Sequence, residues 1–347
     1  VRHSQPSPPD QAPDRDQGTG IDQTISDAVN KTYGGVAAEE LDAVTLERLA
    51  SDVPENTRNA YRIAWDAFAW WCQERAITPL PASEITLTRY VSHMRTLERA
   101  PATISQHIGA IRSRHDEAGY DGQPNTARAA RLLRGYRRHL AKEGIGQRQS
   151  IPITPQALRK MVATLDASTV RGRRDQLALV LGFTGMLRRS ELVGLRTADV
   201  TITDDGVTLL VRTSKTDKDS VGRSVPIPPQ SSPEVDPVNL TQRWMDIVSD
   251  GYLLRAVARD DALLATPWRA AGVRDMVRRA ARDAGLPSWE RYTAHSLRAG
   301  GLTASLRAGT PLGVAARHGG WNPESPVPSR YARVADQWKD NAMRGVL

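Results

Sequence analysis

Between Asn56 and Lys142 apolar residues recur at helical spacing four times, and each recurrence is closed by a helix breaker, which restricts this stretch to a small helical unit. In the first segment Ala60, Ile63, Ala64, Ala67, Phe68 and Trp71 follow the i, i+3, i+4 rule ahead of Pro79 and Pro81. The second opens at Ser83 with Tyr90, Val91, Met94 and Leu97 on its apolar side, and Pro101 ends it. The third, Ala102–Ala118, turns Ile104, Ile108 and Ile111 inward and Arg112 and Arg114 outward before Gly119. The fourth, Thr126–Lys142, follows Asn125 as a cap and sets Arg128, Arg131, Arg134, Arg137 and Arg138 around Leu132, Leu133 and Leu140. Two arginine-studded helices in one unit favour contact with nucleic acid over a merely solvated face, with Arg112, Arg114, Arg131, Arg134 and Arg138 as the candidate contacts. The single cysteine, Cys72, excludes an internal disulfide framework and a multi-thiolate metal site, and beside Trp70 and Trp71 it reads as core filling.

Charge strengthens that reading. The net charge of +8 is unevenly spread: residues 1–56 hold eleven acidic and four basic side chains, so the remaining chain carries an excess of 15 positive charges. Such a body calls for a polyanionic partner, because each phosphate contact releases condensed counterions. Of the 47 basic residues only six are Lys, so a lysine with a chemical role has few candidates. Residues 1–45 are rich in Pro, Gln, Asp, Gly and Ser and predict a disordered acidic leader, with a short helix near Ala37–Ala50. Neither an apolar signal-peptide core nor a run of about 18 apolar residues occurs, so a soluble cytoplasmic protein, associated with the nucleoid and without a membrane partner, is expected.

The helical unit spans residues 46–142 in this reading. Two glycines in Lys142-Glu-Gly-Ile-Gly146 mark a linker over 143–152, and a second domain occupies 153–347. Thr154 is placed to cap a helix whose first residue is Pro155. The segment Asp175–Phe183 is apolar on nearly all sides and predicts a buried helix ending at Thr184-Gly185. Val207–Thr213 and Ser224–Ile227 predict two strands around a polar loop that holds Lys215 and Lys218, and Pro226 confines the second strand to an edge. Further helices are expected around Val273–Ala281, over the His295 segment to Gly309, from Thr310-Pro311 to His318, and around Tyr331. Pro326 and Pro328 predict that the last starts near Ser329, with Tyr331 in its first turn. The fold class is therefore mainly α with a small β-sheet: a helical DNA-binding domain followed by an α-rich domain with a β-hairpin.

Within the second domain stand Arg188-x-x-Glu191 after a Thr-Gly turn, Lys215 in the hairpin, His295-x-x-Arg298, Gly319-Gly320-Trp321, and Tyr331 ten residues later. His295 and Arg298, three apart on a helix, offer donors to one anion. In this order and at these separations the set resembles the tyrosine recombinase (phage integrase) family, with the Gly-Gly-Trp variant similar to its Cre-like members. The likeness runs over about residues 50–345. It implies an integrase-type enzyme of a mobile element that recombines DNA site-specifically through a phosphotyrosine intermediate.

In such an enzyme Tyr331 attacks a phosphodiester, and the energy of the 3′-phosphotyrosine bond lets a DNA hydroxyl reverse the step without a cofactor or metal. Arg188 and Arg298 stabilise the pentavalent transition state with their forked donors. His295 shares the tyrosine proton or bonds a phosphate oxygen. Lys215, with Lys218 in reserve, protonates the leaving 5′ oxygen, and Trp321 stands where many relatives have His. His318, three residues earlier, is the rival for that place, and its helix end suits a cation. Glu191 either orients Arg188 or His295 or serves as a first-turn acid, and Tyr292, close before His295, reads as structural. The implied partners are double-stranded DNA with specific recombination sites, three further copies of the chain in a homotetramer, and accessory DNA-bending proteins. A type IB topoisomerase, or a DNA-binding derivative that has lost catalysis, are the competing readings.

Overall fold

The computed structural model describes residues 55–146, 150–212, 222–322, 325–336 and Met343. The acidic leader, the 213–221 segment that carries Lys215 and Lys218, and most of the C-terminal tail lie outside the described residues. The chain divides into two compact units, Val1–Gln147 and Arg148–Leu347.

In the first unit α1 (Glu55–Gln73), α2 (Glu84–Thr96), α3 (Pro101–Glu117) and α4 (Ala127–Lys142) reproduce the four predicted segments. Local chemistry sets their starts. Ser83 Oγ accepts from the Thr86 backbone N–H at 3.1 Å, Pro101 occupies the first turn of α3, and Asn125 Oδ1 accepts from Ala127 N–H at 2.8 Å. The buried stripe of α1 is narrower than the periodicity suggests: Ala64, Phe68, Trp71 and Cys72 face inward, whereas Ile63 is 55% exposed. Phe68, Trp71 and Tyr90 form an aromatic cluster with centroids 5.0–6.4 Å apart. His115 is buried and fully used, accepting the Ala82 N–H on Nε2 (2.7 Å), so that Nδ1 carries the proton donated to Ile111 C=O (2.7 Å). Burial holds its pKa below the usual histidine value, and it packs as a neutral ring.

The second unit is built on α6 (Val170–Thr184), whose Leu177, Ala178, Leu179, Val180 and Leu181 are fully buried. It packs against α5 (Pro155–Ala163), α7 (Arg189–Gly194), α8 (Pro237–Met245), α9 (Ala270–Asp283) and α10 (Ala294–Arg307). Thr154 caps α5 as predicted, accepting from Ala157 N–H at 3.1 Å. An antiparallel sheet joins β1 (Val200–Thr203), β2 (Gly206–Val211) and β3 (Arg223–Ile227) in that order, so Pro226 does lie on an edge strand. Leu209 pairs with Val225 and Val207 with Ile227, which turns all four side chains into the core. A second sheet pairs β4 (Arg255–Val257) with β5 (Leu263–Pro267). Helices α11 (Leu312–Gly319) and α12 (Val327–Asp336) complete the described elements.

Candidate active site

Four pieces of chain converge at one end of α10. The first is the turn after α6. Met186 takes φ +47°, a left-handed conformation that a non-glycine residue adopts only under constraint, and its carbonyl accepts a hydrogen bond from Arg298 Nη1. Arg188 then caps α7 with extended backbone, and Glu191 returns to it. The Glu191 carboxylate accepts the Arg188 N–H on Oε2 (2.9 Å) and Arg188 Nη1 on Oε1 (2.5 Å). The capping and the orienting reading of Glu191 therefore describe one geometry.

The second piece is α10, whose start is fixed by a reciprocal cap between Thr293 and Ser296. It presents His295 and Arg298, the latter only 2% exposed. Gly300 and Gly301 let this helix press on its neighbours: a Cβ at 300 would lie 2.2 Å from Ile153 C=O, and one at 301 would lie 2.1 Å from Phe183 C=O. The third piece is the end of α11, where Trp321 lays its ring 3.7 Å from the Arg298 guanidinium carbon. His318 donates through Nε2 to the Thr184 carbonyl (2.8 Å), so it serves as a tie between α11 and α6. The fourth is α12, which brings the Tyr331 hydroxyl to 3.2 Å from His295 Nε2. Its start corrects the sequence expectation. The helix begins at Val327, Pro328 sits in the first turn where its missing N–H has no intrahelical partner to lose, and Tyr331 lies in the second turn.

Arg223, at the start of β3, joins the set although it belongs to no motif in the sequence. It donates Nη2 to Glu191 Oε2 (3.1 Å) and Nη1 to the His318 carbonyl (2.7 Å). With Arg298 Nη1 at 4.0 Å from the same oxygen, three guanidiniums surround one carboxylate whose side chain is 1% exposed. That leaves an excess of two positive charges in a half-enclosed site, a potential that suits an anion. Arg298 Nη2 is buried and meets no partner among the described residues.

A model of the phage integrase family matches residues 152–337, a span that contains all of these side chains. The chain belongs to the phage integrase family. An integrase/recombinase XerD homologue of Selenomonas ruminantium is 30% identical over 307 residues, covering 88% of this integrase and 89% of the relative. Among solved structures, the XerH site-specific recombinase on palindromic difH substrate aligns with a TM-score of 0.58 at 17% identity, over 92% of this chain and 87% of that one. The Tn1549 transposon integrase in complex with a circular intermediate DNA gives 0.58 at 17%, over 87% and 94%. These two establish the fold. The integrase is thus a tyrosine recombinase-type enzyme, of a family that cleaves and rejoins DNA.

Electrostatics within the integrase site are set by burial and by the arginines together. Burial first, then the charges of Arg298 and Arg188, push the His295 pKa below its usual 6.5, so the ring is neutral at pH 7 and able to accept a proton. Tyr331 is shifted upward by burial against the opposing pull of Arg298 and remains a phenol until attack. Burial alone would raise the Glu191 pKa; the Arg188 hydrogen bonds and the Arg223 and Arg188 charges outweigh it and hold the carboxyl below its usual value. Arg298 is pushed down to about 9, by burial and then by Arg188, and stays cationic at neutral pH. Tyr292, the rival tyrosine, is 7% exposed and belongs to the main core of the second unit. Of the basic candidates in the first unit, Arg131, Arg134 and Arg138 are exposed on α4 and Arg112 on α3, while Arg114 leans over Trp65 and pairs with Glu117 at 3.4 Å. Among the described residues no helix is long and apolar enough to cross a membrane.

Proposed function

We propose that this integrase cuts and rejoins double-stranded DNA at specific recombination sites through Tyr331. The single observation that carries the reading is the 3.2 Å approach of the Tyr331 hydroxyl to the neutral His295 ring beside the Arg188–Glu191–Arg298 cluster. Tyr331 Oη attacks the phosphorus and passes its proton to His295 Nε2, Arg188 and Arg298 Nη2 take the nonbridging oxygens, and the 5′ oxygen leaves with a proton from Lys215. Attack of a 5′ hydroxyl on the phosphotyrosine reverses the step. Trp321 holds Arg298 with its ring face.

In the same proposal residues 46–142 form the helical DNA-binding domain, 143–152 the linker and 153–347 the catalytic domain. Arg112, Arg131, Arg134 and Arg138 contact phosphates, and Arg114, paired with Glu117 and laid over Trp65, contributes least of the five. Four copies pair two sites, with accessory proteins that bend the DNA. The XerH and Tn1549 proteins held DNA in their structures, and a lambda integrase dimer, TM-score 0.53 at 16% identity, was bound to a COC′ core site, which supports a DNA duplex with defined sites as the substrate here.

A DNA duplex nicked beside the cleavage point loses its short product and traps the covalent complex as an SDS-stable, gel-shifted species. Tyr331→Phe is expected to keep DNA affinity and give none of this species, while Tyr292→Phe, if folded, still gives it. Trapping by Tyr331→Phe would overturn the assignment.

A further inference from the structure

Side chains at 223, 225 and 227 share one face of β3, and Val225 and Ile227 show that this face is the core. A guanidinium on core register carries a desolvation cost unless it is bonded. Arg223 is bonded on two sides, to Glu191 Oε2 at 3.1 Å and to the His318 carbonyl at 2.7 Å. A third side is closed by Gly320, whose φ of +67° carries the backbone so near that a Cβ there would lie 2.4 Å from Arg223 Nε. Arg188 Nη2 bonds the Gly320 carbonyl at 3.2 Å, and the next residue, Trp321, stacks on Arg298. Arg223 therefore stands between the carboxylate that orients Arg188 and the turn that lays Trp321 on Arg298.

We infer that Arg223 is a positioning residue for the cleavage step: it clamps Glu191 and the His318–Trp321 turn together, so that Arg188 and Arg298 meet the phosphate in one geometry. Its side chain is 17% exposed, Nη1 and Nη2 are committed to protein acceptors, and Nε is buried against the Gly320 turn without a hydrogen-bond partner among the described residues, so it acts through its neighbours and adds nothing to DNA affinity. A forked guanidinium can span a carboxylate and a carbonyl at once, whereas a lysine ammonium on a single stem reaches one of them. The inference rests on the reading of Tyr331 as nucleophile.

The experiment follows covalent-complex formation by the full chain on the nicked duplex, for wild type, Arg223→Lys, Arg223→Gln, Glu191→Gln and Arg223→Gln/Glu191→Gln, with a melting curve for each. Expected for Arg223→Lys is a cleavage rate at saturating DNA lower by about tenfold to a hundredfold, the weight of one charge-assisted hydrogen bond at the transition state, with the half-saturating DNA concentration unchanged. The double variant is expected to cleave no more slowly than the slower single variant, because both substitutions break one linkage. Arg223→Lys keeps the charge and one bond, so it carries the test if Arg223→Gln does not fold. Wild-type rates in Arg223→Lys, losses confined to DNA affinity, or losses that multiply in the double variant would each overturn the inference. Absence of a covalent complex in wild type overturns the Tyr331 reading, and this inference with it.

Discussion

Replacing Glu191 by Gln keeps the shape of the side chain and removes the charge that Arg188, Arg223 and Arg298 surround, leaving buried guanidiniums uncompensated. Removing one partner of a buried ion pair costs about 3–5 kcal/mol, and a thermal melt at pH 7 should show a loss of that order for Glu191→Gln. The sign of the pH dependence follows from the depressed carboxyl pKa: the stabilisation is present above the unfolded value of 4.5 and is lost as pH falls through the lower folded value. Melting curves of wild type and variant should therefore converge only in that acid range. His295 sets a second dependence. Its pKa lies below 6.5, so the second-order rate of covalent-complex formation should be flat near pH 7 and fall only as the ring becomes protonated below 6.5; a rate that rises on acidification would remove His295 as proton acceptor. The contrast between these residues and Arg223 marks what a sequence exposes. His295 and Arg298 share a helix face by spacing, and it is the resemblance to a known family that joins them to Tyr331. Arg223 meets Glu191 across 32 residues and His318 across 95, and the one local signal was its inward register beside Val225 and Ile227, where an arginine requires a buried partner. The left-handed Met186 had no signal, because its conformation follows from the Arg298 bond it accepts.

Among the elements, α10 carries the tightest constraint, since it holds His295 and Arg298 while its glycines lie against backbone on two sides. Gly300→Ala would put a methyl 2.2 Å from Ile153 C=O, a group that cannot swing aside as a side chain tip could. Overpacking of this kind costs about 1–3 kcal/mol, and a helix displaced to relieve it withdraws His295 from Tyr331. The expected result is a lower melting temperature together with a larger loss of cleavage than stability alone explains; unchanged values of both would mean that α10 has slack the distances deny. The long helices were legible because their apolar periods run for several turns. Strand β1 leaves little trace in the sequence because Val200–Thr203 is four residues long and its side chains alternate only between half-buried and exposed. Strands β4 and β5 have no fully buried position to declare a face. Pro326 and Pro328 read as helix stops in the sequence, whereas Pro328 is tolerated in the first turn of α12, which has no intrahelical N–H bond to lose.

At the scale of the molecule the governing quantity is charge. The chain beyond residue 56 carries an excess of 15 positive charges, and on α4 Arg131, Arg134 and Arg138 lie three and four residues apart, on one exposed face. If these three meet phosphates, each releases counterions on binding, and the logarithm of affinity falls against the logarithm of salt with a slope of about −0.9 per contact. Replacing all three by Ala should then make that slope shallower by about 2.7 and weaken binding to specific and unrelated duplexes alike, since phosphate contacts position a protein without reading bases. Arg114→Ala is the internal comparison: its guanidinium pairs with Glu117 and covers Trp65, so it should alter the slope less than any one of the three. Titrations of the nicked duplex at several salt concentrations measure both. A triple variant with the wild-type slope would show that this face of α4 is solvated and not bound, and would move the DNA contact of the helical unit to another surface.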